Sequence, residues 1–150
     1  MRIVLQRVSS ASVTVESRVI GSIGAGLMLL VGIEAADTAA DGEWLAGKIS
    51  KLRLFPDEAG QMNRSIIDIA GEILLVSQFT LHASTAKGTR PSFNAAAKPE
   101  IALPLYELFI KQLQVAINRP IATGQFGAMM DVAITNSGPV TLILDSKSRV

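Results

Sequence analysis

The segment Leu27-Met28-Leu29-Leu30-Val31-Gly32-Ile33 contains the longest apolar run of the chain, and the interpretation of the fold starts from it. An uncharged run of this length, without polar and apolar alternation, predicts a buried strand. Glycines at 21, 24 and 26 precede it and predict a turn-rich approach. The run is too short to span a membrane. This segment therefore predicts the buried strand of a globular protein.

Further strands are predicted on both sides of this segment. Residues 2 to 8 and 11 to 16 alternate apolar and polar side chains, which is the period of a half-buried strand. The other predicted strands are Ile66 to Ile69, Glu72 to Ser77, Val132 to Thr135 and Val140 to Leu144.

Two helices are predicted from apolar side chains that recur at helical spacing. The first covers Asp37 to Leu54, and Thr38 with Asp41 resembles a capping box at its start. Its apolar face consists of Trp44, Ile49 and Leu52. The second is marked by Leu105, Leu108, Phe109 and Leu113. Pro104 is expected in the first turn of that helix, because a proline further inside would kink it.

These elements predict a single α+β domain over residues 1–150, with a loose tail from about 146. Many short, mostly antiparallel strands should form a barrel-like or two-sheet core with the two helices packed on it. The segment from His82 to Lys98 has no periodicity, and a loop of this length in a compact domain is often functional.

Composition excludes several classes of protein. With 49% hydrophobic and 18% charged residues, the chain is globular and not disordered. Cysteine is absent, which excludes disulfides and thiolate chemistry. We also expect no secretory signal and no membrane association, so the expected location is the cytoplasm. The net charge of +1 is small for a protein that binds many phosphates, so any nucleic-acid contact must be local.

The inventory of reactive side chains is sparse. His82 is the only histidine and the acidic residues are scattered, so we expect no metal site and no cofactor. Glycine-rich phosphate loops and the nucleophile elbow of hydrolases are absent. A Ser-His-Asp triad would need His82, which we interpret instead as a partly exposed histidine at the end of a strand.

Two short motifs remain. In Ser77-Gln78-Phe79-Thr80-Leu81 a buried strand runs into the long loop, where hydroxyl, amide and backbone N–H groups can face a pocket. In the alternative, Ser77 and Thr80 only satisfy the backbone of their own turn. The second motif is Asn136-Ser137-Gly138-Pro139-Val140-Thr141, for which the alternative is a simple hairpin connection.

Together, and in this order, the two motifs resemble the paired signatures of the D-aminoacyl-tRNA deacylase family. Four further stretches agree with that resemblance. They are Gln6-Arg7-Val8 with Ala11-Ser12-Val13, Gly24-Ala25-Gly26-Leu27, Arg90-Pro91-Ser92-Phe93, and Thr123-Gly124-Gln125-Phe126-Gly127-Ala128-Met129-Met130. The resemblance covers all but the last few residues of the chain.

The resemblance implies a homodimer that binds the aminoacylated acceptor end of a tRNA and hydrolyses its D-aminoacyl ester, with glycyl-tRNA mischarged on tRNA-Ala as a further substrate. It implies that Ser77, Gln78, Phe79 and Thr80 form the catalytic site. Gly138-Pro139 would carry a cis peptide bond and enter the partner subunit's pocket as a filter that rejects L-amino acids. The implied supporting or adenosine-binding residues are Arg7, Phe126, Gly127, Ala128, Met129, Met130 and Asn136, with Lys87 and Arg90 as phosphate contacts.

Two mechanisms are open within this resemblance: attack by the Thr80 hydroxyl, or assistance from the 2′-hydroxyl of the terminal adenosine. A threonine hydroxyl needs a base, and the sequence offers none near Thr80, so we favour the second. Backbone N–H groups around Phe79 and Thr80 would then form the oxyanion hole. Competing hypotheses are a non-catalytic RNA- or nucleotide-binding module, an editing domain like that of archaeal threonyl-tRNA synthetases, and an esterase of small molecules.

Overall fold

The computed structural model describes all residues from Met1 to Val150. The strands are β1 (Arg2–Val15), β2 (Arg18–Ile23), β3 (Gly26–Gly32), β4 (Phe55–Pro56), β5 (Met62–Arg64), β6 (Glu72–Ser77), β7 (Ala122–Thr123) and β8 (Asp131–Asp145). The helices are α1 (Ala39–Lys51), α2 (Pro99–Ile117) and a short 3-10 helix at Phe79–His82. Neither α1 nor α2 combines the length and the apolar character of a membrane-spanning helix.

Six strands form one nearly closed, barrel-like sheet in the order β2-β1-β3-β6-β7, and β8 pairs with β1 along nearly its whole length, from Arg2 to Thr14. The pairs of β1 with β2, β3 and β8 are antiparallel, while β3 with β6 and β6 with β7 are parallel. Strands β4 and β5 form a small second sheet. The α+β class, the barrel-like core and the two helices of the prediction are confirmed.

Strand β3 is buried on both faces, as its apolar sequence predicts. Leu27, Leu29 and Val31 belong to a core of 20 buried residues that includes α1 and α2. Met28 belongs to a second core of seven buried residues on the other face of the sheet. The predicted strand over Glu72 to Ser77 is likewise correct and becomes β6. These two buried strands form the centre of the sheet.

The first helix begins with the predicted capping box. The Asp41 carboxylate accepts a hydrogen bond from the N–H of Thr38 at 2.8 Å. Ile49 is buried and Trp44 and Leu52 are partly buried against the core, although the helix ends at Lys51 and not at residue 54.

The expectation for Pro104 is wrong. Helix α2 begins at Pro99, so Pro104 lies in the second turn, and the carbonyl of Glu100 loses the N–H that residue 104 would otherwise donate. The side chain of Pro104 is exposed, so its ring does not disturb the core. The buried face of α2 includes Ala102 and Tyr106 beside the predicted Phe109 and Leu113.

The strand predicted over Ile66 to Ile69 is a turn. The Ser65 hydroxyl accepts a hydrogen bond from the N–H of Asp68, and the Asp68 carboxylate accepts one from the N–H of Ser65. These local bonds compete with strand pairing. Ile66 is fully buried whereas Ile67 is 49% exposed. The turn therefore places Ile66 in the core without forming a strand.

The predicted tail from residue 146 is packed at its start. Ser146 is buried, and its hydroxyl accepts a hydrogen bond from the Met1 ammonium at 2.9 Å. Lys147 forms an ion pair with Asp41 at 3.0 Å, and the Arg149 guanidinium lies 4.3 Å from the centre of the Trp44 ring. The tail is therefore not loose over these residues.

Candidate functional site

The first candidate segment follows β6 and forms a tight turn. Gln78 still donates its N–H to the Val31 carbonyl at 2.7 Å, and the 3-10 helix then begins at Phe79. The first N–H groups of a helix have no partner within it. Here the N–H groups of Phe79 and Thr80 donate no hydrogen bond. Two adjacent backbone donors are thus available at the end of a buried strand.

The Thr80 hydroxyl is engaged by its own segment. The side-chain amide of Gln78 donates a hydrogen bond to Thr80 Oγ1. The partner in this contact is a hydrogen-bond donor, which cannot take up the hydroxyl proton as a base would. The contact therefore positions Thr80 but does not activate it as a nucleophile.

His82 is not the partly exposed residue that the sequence suggested. Its side chain is buried at the end of the 3-10 helix, with 6% of the residue exposed, and Nε2 has no hydrogen-bond partner. Gly32 makes this burial possible, because a Cβ at that position would lie 3.0 Å from His82 Cδ2. No side-chain hydrogen bond joins His82 to Ser77 or Thr80, so no triad is assembled.

A cavity of about 620 Å³ opens at the end of β6. Strands β3, β6 and β7 are parallel, so their carboxyl ends meet at one edge of the sheet, where ligands bind in many parallel sheets. The segment after β7 therefore reaches the end of β6. Eighteen residues line the cavity: Val31, Ile33, Val76, Ser77, Gln78, Phe79, Phe93, Ala96, Ala97, Lys98, Pro99, Ala102, Phe126, Gly127, Ala128, Met129, Met130 and Val132.

The cavity brings together two of the sequence-predicted groups. Ser77, Gln78 and Phe79 form one wall, and the stretch from Phe126 to Met130 forms another. Phe79 and Met129 expose 57% and 92% of their surface at the rim, which leaves apolar area available for a ligand. Thr80 is adjacent in sequence but does not line the cavity.

Several lining residues were missed by the sequence analysis. Phe93 was quoted only as part of a similar stretch, yet it packs edge to face on Phe79 with ring centres 5.2 Å apart. Lys98, Pro99 and Ala102 come from the start of α2. A lysine followed by proline after a long loop is a helix-start signal that could have identified this wall.

The cavity is apolar and almost uncharged. Thirteen of its lining residues are hydrophobic, none is acidic, and Lys98 carries the only charge. The structure contains no group of three or more His, Cys, Asp or Glu side chains suited to hold a metal ion. The polar groups that this cavity offers a ligand are therefore backbone donors, the Ser77 hydroxyl, the Gln78 side-chain amide and one ammonium.

The second candidate motif is a bulge within one continuous strand, and not the hairpin between two strands that we considered. Strand β8 pairs with β1 on both sides of the motif, with Thr141 opposite Gln6 and Asn136 opposite Val8. Residues 137–140, which we call the Gly-Pro bulge, therefore face Arg7 alone. The Gly138–Pro139 bond is cis, and Gly138 has φ +124°.

Arg7 holds the Gly-Pro bulge in place. Its guanidinium donates to the carbonyl of Ser137 at 3.0 Å and to that of Leu54 at 2.7 Å. At the base of the bulge, the Asn136 amide donates to the Thr141 hydroxyl at 3.2 Å. Gly138 and Pro139 are exposed at its tip. The bulge is thus a fixed projection from β8.

The structure does not bring all predicted residues to the cavity. Arg7, Asn136, Gly138 and Pro139 do not line it in the same chain. Lys87 and Arg90 lie exposed in the long loop and do not line it either. One chain therefore presents two separate features, a cavity at the carboxyl ends of parallel strands and a bulge on β8.

Comparison with known proteins identifies the family. Residues 4–145 match the family model described as D-Tyr-tRNA(Tyr) deacylase. The chain is 58% identical to a D-aminoacyl-tRNA deacylase of Opitutus terrae over 149 residues, which cover 99% of both chains. A D-aminoacyl-tRNA deacylase of Bacteroides thetaiotaomicron is 57% identical with the same coverage.

Two solved structures share the fold. The structure described as c-Myc DNA Unwinding Element Binding Protein is 44% identical and superimposes with a TM-score of 0.91, covering 97% of this chain and 98% of that one. A probable eukaryotic D-amino acid tRNA deacylase is 18% identical with a TM-score of 0.84, covering 95% and 97%. The match along nearly the whole length shows that this chain belongs to the D-Tyr-tRNA(Tyr) deacylase family.

Proposed function

We propose that this protein hydrolyses the ester between a D-amino acid and the terminal adenosine of a tRNA, releasing the free amino acid and the tRNA. The observation that carries the proposal is the cavity, in which Ser77–Phe79 and Phe126–Met130 face one space in a member of this family. Its volume of about 620 Å³ is in the range of sites for small ligands. An aminoacylated adenosine is the part of the tRNA that would enter.

Phe79 lines the cavity and Thr80 follows it in sequence, so their unpaired N–H groups are suited to stabilise the oxyanion of the reaction at this edge of the cavity. When water attacks the ester carbonyl, negative charge develops on the carbonyl oxygen. Backbone donors that are already oriented need no rearrangement at that moment, and one such donor is worth about 10²–10³ in rate. The largely apolar lining strengthens the interaction because little water competes with the donors.

The attacking group is water, assisted by the substrate's own 2′-hydroxyl. No carboxylate or histidine lines the cavity, and the Thr80 hydroxyl accepts a hydrogen bond from Gln78. The vicinal 2′-hydroxyl lies beside the reacting carbonyl and can orient the water without any protein base. The C–O bond to the ribose 3′-oxygen then breaks, and that oxygen leaves as the tRNA hydroxyl with the proton that the water supplied.

Selectivity for D-amino acids requires a second copy of the chain. Because the Gly-Pro bulge does not line the cavity of its own chain, we place it in the cavity of the partner subunit of a two-fold homodimer. Ile134 and Ile143 on β8 are 37% and 67% exposed, which gives the strand around the bulge apolar area to bury. An L side chain would collide with the bulge, whereas a D side chain would point away from it.

The same steric argument extends the substrates to glycyl-tRNA, including glycine mischarged on tRNA-Ala. Glycine has no side chain to collide with the Gly-Pro bulge. Discrimination of about a thousandfold between D and L substrates corresponds to about 4 kcal/mol, which a rigid clash can supply.

Since aminoacyl-tRNAs are made and used in translation, we place the protein in the cytoplasm.

The deciding experiment follows release of the amino acid from D-tyrosyl-, L-tyrosyl- and glycyl-tRNA, with sedimentation of the enzyme under the same conditions. We expect a dimer that cleaves the D and glycyl substrates and spares the L substrate. Binding without release would favour the nucleic-acid-binding alternative. Cleavage of L-seryl-tRNA would favour a threonyl-type editing domain, and equal cleavage of simple D-tyrosine esters would favour a small-molecule esterase.

A further inference from the structure

Lys98 is the only charged residue that lines the cavity. It lies exposed just before α2, and its ammonium forms no ion pair and donates no hydrogen bond within the chain. The ammonium at the rim of this otherwise apolar cavity therefore has no ion-pair or hydrogen-bond partner within the chain. Its charge is available to a ligand that occupies the cavity.

Two further features favour an anionic group at this rim, although Glu100 in the first turn of α2 carries the opposite charge two residues away. No carboxylate lines the cavity, so no acidic side chain faces Lys98 within it. Lys98 also occupies the N-cap position of α2, a helix of 19 residues whose dipole places partial positive charge at that end. Pro99 carries no N–H, and the N–H of Glu100 donates to no acceptor. An anionic ligand group at this rim would meet one full charge and the end of a helix.

We propose that Lys98 binds the 5′-phosphate of the terminal adenosine and so fixes the orientation of the acylated nucleotide. This inference rests on the proposed function and adds a substrate contact to it. Apart from the amino acid's own ammonium, that phosphate is the only charged group on the terminal nucleotide. It is attached to the ribose that carries the ester, so it lies at the cavity whenever the ester meets the N–H groups of Phe79 and Thr80.

The same charge disfavours the reversed orientation. If the nucleotide entered the wrong way round, the amino acid's ammonium would approach Lys98 and be repelled. Lys87 and Arg90, the phosphate contacts suggested by sequence, are exposed in the long loop and do not line the cavity. Lys98 takes over the role expected of them for the terminal phosphate.

The test compares two small substrates, adenosine carrying D-tyrosine on its 3′-hydroxyl, with and without a 5′-phosphate. For Lys98→Met we expect kcat/KM on the phosphorylated substrate to fall about tenfold, the size of one charge-assisted hydrogen bond. On the substrate without phosphate the change should stay below about twofold. Lys98→Arg should restore most of the loss, because guanidinium also pairs with phosphate.

The matched control is Lys111→Met, which removes an exposed lysine from the same helix outside this cavity and should change neither rate. Equal losses of Lys98→Met on both substrates, or no loss on either, would overturn the proposal. A second measurement uses D-tyrosyl-tRNA: the slope of log KM against log salt should be shallower by about 0.7 in Lys98→Met. An unchanged slope would also overturn it, whereas a wild type inert on D-tyrosyl-tRNA would refute the proposed function itself.

Discussion

Replacing Gly138 by alanine tests the role of the Gly-Pro bulge most directly. Gly138 has φ +124°, a backbone conformation that L side chains rarely adopt. A Cβ built there would lie 2.7 Å from Arg7 Nη2 and 3.0 Å from Val140 Cγ2. Arg7 cannot move away freely, because its guanidinium is held by the carbonyls of Ser137 and Leu54.

The cost has two parts. Forcing alanine into this backbone region costs about 1–3 kcal/mol. Displacing the Arg7 guanidinium weakens a hydrogen bond to a charged group, worth about 1.5–3 kcal/mol. The tip of the bulge is exposed, so the bulge should shift rather than unfold the domain. Because about 3 kcal/mol or more then opposes the native position, we expect kcat/KM on D-tyrosyl-tRNA to fall at least a hundredfold.

The control for this variant is Gly60→Ala. Gly60 also has positive φ, +79°, but nothing lies within 4 Å of its added Cβ. This variant therefore carries the conformational cost without the collision and without touching the bulge. It should lose about 1 kcal/mol of stability and keep full activity. Thermal unfolding of both variants separates loss of the site from loss of the fold.

A mixed dimer tests whether the bulge acts on the cavity of its own chain or on that of the partner subunit. Gly138→Ala is co-expressed with Ala96→Trp, which fills the cavity that Ala96 lines. If the bulge acts across the dimer, a mixed dimer keeps one intact pair of cavity and bulge. A random mixture should then recover about a quarter of wild-type activity. No recovery from properly formed mixed dimers, or full activity of Gly138→Ala alone, would refute the assignment.

Two further predictions follow from the hydrogen bonds of Thr80 and Asp41. Thr80→Ala should keep most deacylase activity, because Thr80 Oγ1 accepts a hydrogen bond from Gln78 and has no base beside it. The wild-type enzyme should lose far more of its rate on a substrate that ends in 2′-deoxyadenosine. A folded but inactive Thr80→Ala, with normal turnover of the deoxy substrate, would contradict this. Burial by itself raises the pKa of Asp41, but hydrogen bonds from Ser146, Thr38 and Lys147 outweigh it and hold that pKa well below its ordinary value. The ionised carboxylate therefore stabilises the fold at neutral pH, and this contribution fades as the pH falls below about 4, where the unfolded chain takes up the proton. Asp41→Asn should lower the free energy of unfolding by about 1 kcal/mol at pH 7, with a gap to wild type that narrows toward pH 3 in urea titrations. A gap that is constant over this range would show that the charge is irrelevant.

The parts of the fold that sequence predicted are those that local patterns determine. Strand β3 is apolar on both faces and has no other stable environment than the core. The capping box of Thr38 and Asp41 depends on residues three apart, so it can be recognised without knowing what the helix packs on. The same holds for β6, whose apolar run is continuous.

The errors arise where side-chain hydrogen bonds or the length of a partner strand override the local composition. Ile66–Ile69 has the composition of a strand, but the hydrogen bonds between Ser65 and Asp68 turn the chain there. The Gly-Pro motif has the composition of a hairpin, but β1 is long enough to pair with β8 on both sides of it. The length of a partner strand is not encoded in the residues of the motif itself.

The cavity was beyond prediction from periodicity for a similar reason. Its two predicted walls, Ser77–Phe79 and Phe126–Met130, are far apart in sequence and meet because β6 and β7 are parallel. A two-residue strand such as β7 gives no recognisable pattern. The family resemblance grouped these residues, but it left out Lys98, which is visible only as the charged member of an apolar lining.

The separation of the cavity from the Gly-Pro bulge bears on how a catalyst and a chirality filter can share one small chain. Arg7, which faces the bulge, pairs with Leu27 at the start of β3, whereas the cavity begins at Val31 near its end. Four residues along a strand span about 13 Å. The bulge is anchored by Arg7 and by paired strand on both sides, so no loop movement within the chain closes that gap. If the bulge filters substrates, as we propose, it would therefore do so in the cavity of another copy. In that arrangement the substrate's carbonyl binds the backbone donors of one subunit, while the Gly-Pro bulge of the partner subunit contacts the groups on its Cα. An isolated subunit would then keep its oxyanion donors but have no wall against which an L side chain collides.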